Sequence, residues 1–243
     1  MKTVIIFICC LLGPFALAAQ DSAFRIKTAP LTGNVYVHIS YGEFGGKVYA
    51  ANGLYIVTKN GIILIDTPWS EDQTRQLADT LEKRYHKKIT SCIVTHFHDD
   101  KTAGLDVLKS LGVKTYSTRY TLELCKENDN KQAQFIFRQD TTFHINGITL
   151  QTYYPGEGHS KDNIVIWLPQ TKVLYGGCFI KSMDATTLGN TADGNVAAWP
   201  ASAERLLKQF PYPAYVIPGH DGWQGGMQQV THTLQLLQQS TQH

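Results

Sequence analysis

Cysteine and clustered charge are both scarce in this 243-residue chain. Only Cys92, Cys125 and Cys178 lie beyond the N-terminal apolar run, an odd number and too few for a disulfide framework in a chain of this length. Twenty-two basic and twenty acidic residues give a formal charge of +2. No Lys/Arg block is present, so neither a nucleic acid nor an anionic membrane surface is indicated as a partner. We therefore expect a small ligand, and another role for at least one thiol.

The composition otherwise describes an ordinary globular protein. Hydrophobic residues make up 43% of the chain and charged residues 17%. This balance excludes a disordered or fibrous protein and is enough to bury a large core, either in one large domain or in two small ones.

The N-terminal apolar run predicts a cleaved signal peptide. Residues 4–12 are apolar, but the Gly-Pro pair at 13–14 interrupts the run too early for a transmembrane helix. The small-x-small pattern at 16–18 is the kind that signal peptidase cleaves after. We expect residues 1–18 to be removed after Ala18, with export to the periplasm and no stable membrane anchor.

A short apolar run in the middle of the chain ends abruptly in polar residues. Residues 92–94 have the composition of a buried strand, and His96, His98 and Asp100 follow it. Imidazoles two residues apart in an extended or tightly turned segment can bind one metal ion, and a carboxylate two residues further on can bind it or a neighbouring ion. The spacing selects Asp100 rather than Asp99. An isolated His-x-His motif is also compatible with a polar, solvent-facing loop.

The rest of the chain alternates strands and helices, which is typical of a layered α/β domain. Short strands at 35–38 and 41–49 are followed by three predicted hairpins, at 54–65, 141–154 and 163–175. The hairpins at 54–65 and 163–175 resemble each other, which suggests a faint internal repeat and a four-layer αββα sandwich. Helices are predicted from Ser70 to about residue 86, at 105–111 and 120–126, from Trp199 through Leu207, and along the stripe Met227, Val230, Leu234 and Leu237.

Three further candidate ligands follow predicted strands in glycine-containing turns: His159, Cys178 and His220. A layered sheet presents such strand ends at a common edge. The candidates then form two sets. Three imidazoles suit a catalytic zinc site with an open position, and a carboxylate, a thiolate and an imidazole suit a second zinc ion. The first set is His96, His98 and His159, and the second is Asp100, Cys178 and His220.

These four motifs, in this order and spacing, resemble the metallo-β-lactamase superfamily, and Cys178 narrows the resemblance to the zinc β-lactamases. Other superfamily members typically have a histidine directly after the aspartate and a bridging aspartate in place of the cysteine; this chain has Lys101 and Cys178. The resemblance implies a monomeric αββα domain over residues 19–243. It also implies two zinc ions per chain and hydrolysis of penicillins, cephalosporins and carbapenems, with monobactams poor substrates.

The resemblance also implies roles for residues outside the ligand sets. Lys181 matches a lysine that pairs with the substrate carboxylate, and Asn190 matches an asparagine near the lactam carbonyl oxygen. Asp100 is implied as catalytic as well as a ligand, and Asp66 supports the site from behind it. Phe44, at a glycine-rich hairpin tip, is a candidate substrate contact. The alternatives are a solvated surface lysine, a turn-forming asparagine and ordinary edge packing of the phenylalanine.

Two positions depart from the commonest pattern of that family. Lys101 stands where arginine is frequent, so a point charge replaces a planar fork of donors near the second set. Ala103 stands where glycine is usual. Two rival functions stay open: hydrolysis of another ester, lactone or thioester in the periplasm, and zinc binding without turnover.

Overall fold

The computed structural model describes residues 24–240. The predicted signal peptide at 1–18 lies outside the described residues. Within the described range, no helix is both long and apolar enough to cross a membrane.

The first sheet has seven strands that lie side by side in sequence order. The first four strands pair with one another in antiparallel fashion. The fourth to the seventh strands pair with one another in parallel. The strands are β1 (Lys27–Thr32), β2 (Val35–Phe44), β3 (Lys47–Thr58), β4 (Gly61–Ile65), β5 (Ile89–Ile93), β6 (Lys114–Thr118) and β7 (Phe135–Phe137).

The second sheet has five strands, which also lie side by side in sequence order. All of its neighbours are antiparallel except the last two strands in the chain, which run parallel. The strands are β8 (Thr142–Ile145), β9 (Ile148–Tyr153), β10 (Val165–Leu168), β11 (Val173–Gly177) and β12 (Tyr215–Pro218). All three predicted hairpins are confirmed, as β3–β4, β8–β9 and β10–β11.

Residues 24–240 also form six helices: α1 (Glu71–Tyr85), α2 (Asp99–Thr102), α3 (Leu105–Ser110), α4 (Arg119–Glu127), α5 (Trp199–Gln209) and α6 (Gln228–Ser240). The Ser70 hydroxyl accepts the Gln73 N–H at 3.2 Å and caps α1, as its sequence predicts. Helices α1 and α3 pack on the outer face of the first sheet, and α5 and α6 pack on the outer face of the second.

The main core lies between the two sheets. Val37, Ile56 and Ile65 from the first sheet meet Ile166 and Tyr175 from the second, and all five are buried. Alternate strand residues point to opposite faces, so the remaining apolar positions face the helices. The predicted four-layer αββα architecture is confirmed.

One feature of the N-terminal half differs from the sequence prediction. The prediction of two short strands at 35–38 and 41–49 is wrong, because β2 and β3 form one continuous ladder from the Val35–Ile56 pair to the Phe44–Lys47 pair. Gly42 lies within this ladder, and a Cβ there would be 2.3 Å from the Trp69 ring. Asp100 lies on the helical turn α2, so the structure has the tightly turned alternative of the prediction and not the extended one. One turn is too short to show helical periodicity in the sequence.

Other boundaries also shift. The edge strands β1 and β7 were not predicted, since β1 contains a proline and β7 has only three residues. Helix α6 begins at Gln228, so Met227 lies directly before it, where it packs against the second helical layer as core.

Candidate metal centre

The candidate ligands meet at one edge of the sandwich because each follows the end of a strand or begins the next turn. Residues 96–100 follow β5, His159 lies between β9 and β10, Cys178 follows β11 and His220 follows β12. An isolated bridge between Ala51 and His220 joins the two sheets at this edge. The structure therefore brings together all six residues that the sequence predicts as ligands.

The first donor set consists of three imidazoles. One nitrogen each from His96, His98 and His159 lies within 4.8 Å of the other two. His98 Nδ1 is 3.1 Å from His159 Nε2. The Nε2 atom of His96 is buried and has no hydrogen-bond partner among the described residues. A buried, unpartnered imidazole nitrogen that faces two others fits a metal ligand.

Hydrogen bonds at the opposite ring nitrogens orient two of these imidazoles. His96 Nδ1 lies 3.2 Å from the Thr95 hydroxyl, which itself donates to Asp66 and so accepts from the ring. His98 Nε2 donates to the Asp193 carboxylate at 3.2 Å. Each bond leaves the other nitrogen unprotonated and free to bind a metal. Burial lowers the pKa of His96 and His159 well below the usual range, which also favours neutral rings.

The second donor set is more compact and more highly charged. Cys178 Sγ lies 3.4 Å from Asp100 Oδ2 and 3.2 Å from His220 Nε2, and those two atoms are 3.3 Å apart. His220 Nδ1 donates to the Ala50 carbonyl at 2.7 Å, which directs Nε2 into the set. Donor atoms of Asp100 and Cys178 also lie within 4.8 Å of His96. The two sets therefore adjoin, as in a two-metal site.

The charges of the second set fit a bound cation. Burial alone would lower the pKa of His220, but the Cys178 sulfur and the Asp100 carboxylate raise it to about 10. The imidazolium therefore places positive charge beside the ionised Asp100 carboxylate and the Cys178 sulfur. Zinc would supply that charge, and its preference for sulfur and nitrogen ligands matches Cys178 and His220.

A buried lysine lies beneath the second set. Lys101 is fully buried, and its Nζ is 3.0 Å from Asp100 Oδ2 and 3.1 Å from the Asn52 carbonyl. Burial alone would lower the pKa of Lys101, but Asp100 and Cys178 raise it. Burial alone would also raise the pKa of Asp100, but Lys101 holds it well below its usual range. Asp100 is therefore ionised, with one oxygen fixed by the ammonium group.

A second carboxylate, Asp66, accepts hydrogen bonds from Thr95, the residue before the donor His96. Asp66 is fully buried; its Oδ1 accepts the Thr95 N–H at 2.7 Å, and its Oδ2 accepts the Thr95 hydroxyl at 2.8 Å and the Tyr175 hydroxyl at 2.7 Å. Burial raises the pKa of Asp66 to about 6. The chain Asp66–Thr95–His96 thus connects the interior to a donor nitrogen.

The three expected substrate contacts differ in position. Lys181 is half-buried near both sets, with its Nζ 5.4 Å from the centre of the Trp199 ring, and burial lowers its pKa. Asn190 is exposed, and its Oδ1 accepts the Ala192 N–H at 3.1 Å, which is the turn-forming role that its alternative interpretation describes. Phe44 is 55% exposed at a hairpin tip whose two glycines have positive φ angles. No contact joins Asn190 or Phe44 to the donor sets.

Sequence reasoning missed two residues that contact this centre, Asp193 and Tyr175. The Asp193 carboxylate bonds His98 from 95 positions away, and the Tyr175 hydroxyl bonds Asp66 from 109 positions away. Asp193 lies in an irregular segment, and Tyr175 has the pattern of a core strand residue. Neither position carries a spacing signal that could have identified it.

Comparisons with known proteins agree with this geometry. A family model described as the metallo-beta-lactamase superfamily matches residues 46–220. The chain is 40% identical over 218 residues to a metallo-beta-lactamase type 2 of Elizabethkingia meningoseptica, covering 90% of this chain and 87% of that protein. It is 37% identical to one of Bacteroides fragilis, covering 98% and 97%. A solved metallo-beta-lactamase from Pontibacter korlensis has a TM-score of 0.85 at 37% identity and covers 88% of this chain and 99% of that one.

Proposed function

Because the chain belongs to the metallo-β-lactamase superfamily, we propose that it is a zinc-dependent hydrolase that opens the β-lactam ring and confers antibiotic resistance. The observation that carries the proposal is the meeting of two adjoining donor sets in a chain so similar to named metallo-β-lactamases. The proposed substrates are penicillins, cephalosporins and carbapenems, with monobactams poor.

The donor sets support two zinc ions per chain. His96, His98 and His159 would hold one, and Asp100, Cys178 and His220 the other. Bound zinc would supply a hydroxide nucleophile from water at a pH of about 7 and stabilise the negative charge that develops as the ring opens. Cys178 faces Asp100 and His220, so its sulfur would serve as a zinc ligand rather than as the nucleophile.

The residues around the donors bind and orient the substrate in this proposal. The Lys181 ammonium pairs with the carboxylate that β-lactams carry beside the ring, and its half-buried position strengthens that pairing. The Asn190 amide lies near the lactam carbonyl oxygen, and Phe44 covers the bound substrate. The ionised Asp100 carboxylate accepts a hydrogen bond from the attacking water, because Lys101 keeps it unprotonated.

Two observations favour this function over the rivals. A thioesterase or nuclease of this superfamily is expected to have a bridging aspartate at the position of Cys178, and this chain has the thiol 3.4 Å from Asp100. Lys101 already balances the charge of the second set, so a protein that only binds zinc needs no second cation there, and the Lys181 ammonium instead lies 5.4 Å from the centre of the Trp199 ring. A second cation that can bind a substrate carboxylate therefore supports turnover.

We also propose that the protein acts in the periplasm, after removal of residues 1–18, as a monomer with one domain over residues 19–243. The apolar run and the small-x-small pattern at 16–18 support export. The sheets and helices of residues 24–240 share one sandwich, which supports a single domain.

Hydrolysis assays of the purified protein test the proposal. We expect turnover of a carbapenem and a cephalosporin, loss of turnover with EDTA, and recovery after zinc is restored. Folded, zinc-loaded protein that hydrolyses neither substrate would overturn the lactamase function. Hydrolysis of a thioester or lactone in its place would establish the rival enzyme.

A further inference from the structure

Two segments that contribute to the candidate metal centre are joined by hydrogen bonds of one residue, Asn195. The first is the His159 turn, residues 155–160. The second is the Asn190 segment, residues 190–195, which carries Asn190 and Asp193. The hydrogen bonds inside the Asn190 segment are short in range: Asn190 Oδ1 accepts the Ala192 N–H, and the Gly194 N–H donates to Thr191. Such bonds shape the segment but do not attach it to the fold.

Asn195 uses its backbone and its side chain to attach the segment. Its N–H donates to the Gly158 carbonyl at 2.8 Å, and its Nδ2 donates to Glu157 Oε2 at 2.6 Å. Its Oδ1 accepts the Ala198 N–H at 3.0 Å, at the start of α5. One side chain therefore joins the Asn190 segment to the His159 turn and to a helix.

The approach of the two segments is close. A Cβ at Gly194 would lie 2.7 Å from the Gly158 carbonyl oxygen and 2.9 Å from the His159 carbonyl oxygen. Any larger residue at this position would therefore push the segments apart. Glu157 is held in turn, because its own carbonyl accepts the Ser202 hydroxyl of α5 at 2.7 Å.

We propose that Glu157 and Asn195 form a clasp that holds the Asn190 segment against the His159 turn and so positions Asn190 over the substrate and Asp193 on His98. Both are positioning residues, since neither reaches the donor sets. The clasp rests on the proposed function for its substrate part, because Asn190 and Lys181 act on a substrate only if the chain is a β-lactamase. Its effect on Asp193 and His98 is independent of turnover.

The chemistry of the pair permits a reversal test. Glu157→Ala removes the acceptor, and Asn195→Asp places two carboxylates together while keeping the oxygen that accepts the Ala198 N–H. Glu157→Gln keeps an acceptor. The double variant Glu157→Gln/Asn195→Asp restores a hydrogen bond with donor and acceptor exchanged. Glu204→Ala, an exposed carboxylate on α5, is the matched control.

Three measurements on the zinc-loaded protein test whether the clasp holds the Asn190 segment in place. They are amide hydrogen exchange of residues 190–195, the zinc affinity of the first set by chelator competition, and KM and kcat for a cephalosporin. We expect Glu157→Ala and Asn195→Asp to speed exchange, weaken zinc binding and raise KM by about fivefold, the size that the net contribution of one hydrogen bond provides. Glu157→Gln, the double variant and Glu204→Ala stay within about twofold of the parent protein.

Exchange and zinc affinity that stay unchanged in Glu157→Ala and Asn195→Asp would overturn the clasp, whether or not thermal stability falls. Failure of the double variant to reverse Asn195→Asp would overturn the pairing as its cause. If the parent protein hydrolyses no β-lactam, the proposed function fails, and exchange and zinc affinity still decide whether the clasp exists.

Discussion

The two donor sets lie side by side but are held in different ways. The first set has three imidazoles, and two of them are oriented by hydrogen bonds that their opposite nitrogens donate to the Thr95 hydroxyl and the Asp193 carboxylate. The second set contains an ionised carboxylate and a thiol, and a buried lysine balances its charge. From this difference we infer that geometry controls metal binding in the first set and that charge controls it in the second. Each set should therefore respond to a different kind of substitution.

The largest expected effect comes from removing the soft ligand of the second set. Cys178→Ser replaces a thiolate with a weaker zinc ligand, so zinc content and hydrolysis should fall together, the rate by about 100-fold or more. Metal analysis and steady-state kinetics measure this. If zinc content and rate both stay at the level of the parent protein, Cys178 is not a ligand.

Removing the buried Lys101 cation tests whether charge controls metal binding in the second set. Lys101→Ala leaves Asp100 buried without its partner, and the free energy of unfolding of the metal-free protein should fall by about 3–5 kcal/mol. Zinc affinity of the second set should fall about 10–100-fold while that of the first set changes little. Denaturant unfolding and chelator competition check both values. Lys101→Arg is the charge-preserving control, and equal loss in both sets would contradict the comparison.

Lys181 separates substrate binding from metal binding, since it carries positive charge near both donor sets and belongs to neither. Lys181→Ala should raise KM for β-lactams about tenfold and lower kcat less, because the ammonium binds the substrate carboxylate rather than a reacting atom. Steady-state kinetics with a cephalosporin measure the split, with Lys181→Arg as the control. An unchanged KM would return Lys181 to a surface role.

A smaller effect is expected where hydrogen-bond geometry is changed in the first set. Asp193→Ala removes the acceptor of His98 Nε2 and should weaken zinc binding in the first set by about tenfold, with the second set unaffected. Competition with a chromophoric chelator measures both affinities, and Asp79→Ala, which removes an exposed carboxylate on α1, serves as the control. A larger loss in the second set than in the first would contradict the geometric argument.

The smallest effect concerns pH. Because the folded-state pKa of Asp66 is raised to about 6 from 3.8, its contribution to the free energy of unfolding is fully present below 3.8 and is lost as pH rises through 6. The parent protein should therefore lose about 1 kcal/mol relative to Asp66→Asn between pH 5 and pH 8. Urea unfolding of the metal-free proteins at both pH values measures this. A difference that is the same at both pH values would show that Asp66 does not titrate in that range.

Much of this architecture is predictable from the sequence, for local reasons. Buried strands with turn residues between them identified three hairpins, and the proposed ligands could be selected because each follows such a strand. The partners behind them could not be selected in this way. Tyr175 and Asp193 reach the centre only through contacts across the two sheets, and the helical turn that carries Asp100 is too short to leave a periodic pattern.

Anomalous diffraction from crystals grown with zinc shows which residues bind each ion. We expect one zinc ion bound by His96, His98 and His159 and a second bound by Asp100, Cys178 and His220, with the second peak lost selectively in Cys178→Ser. Zinc bound at neither position, or a second peak that persists unchanged in Cys178→Ser, would contradict the account.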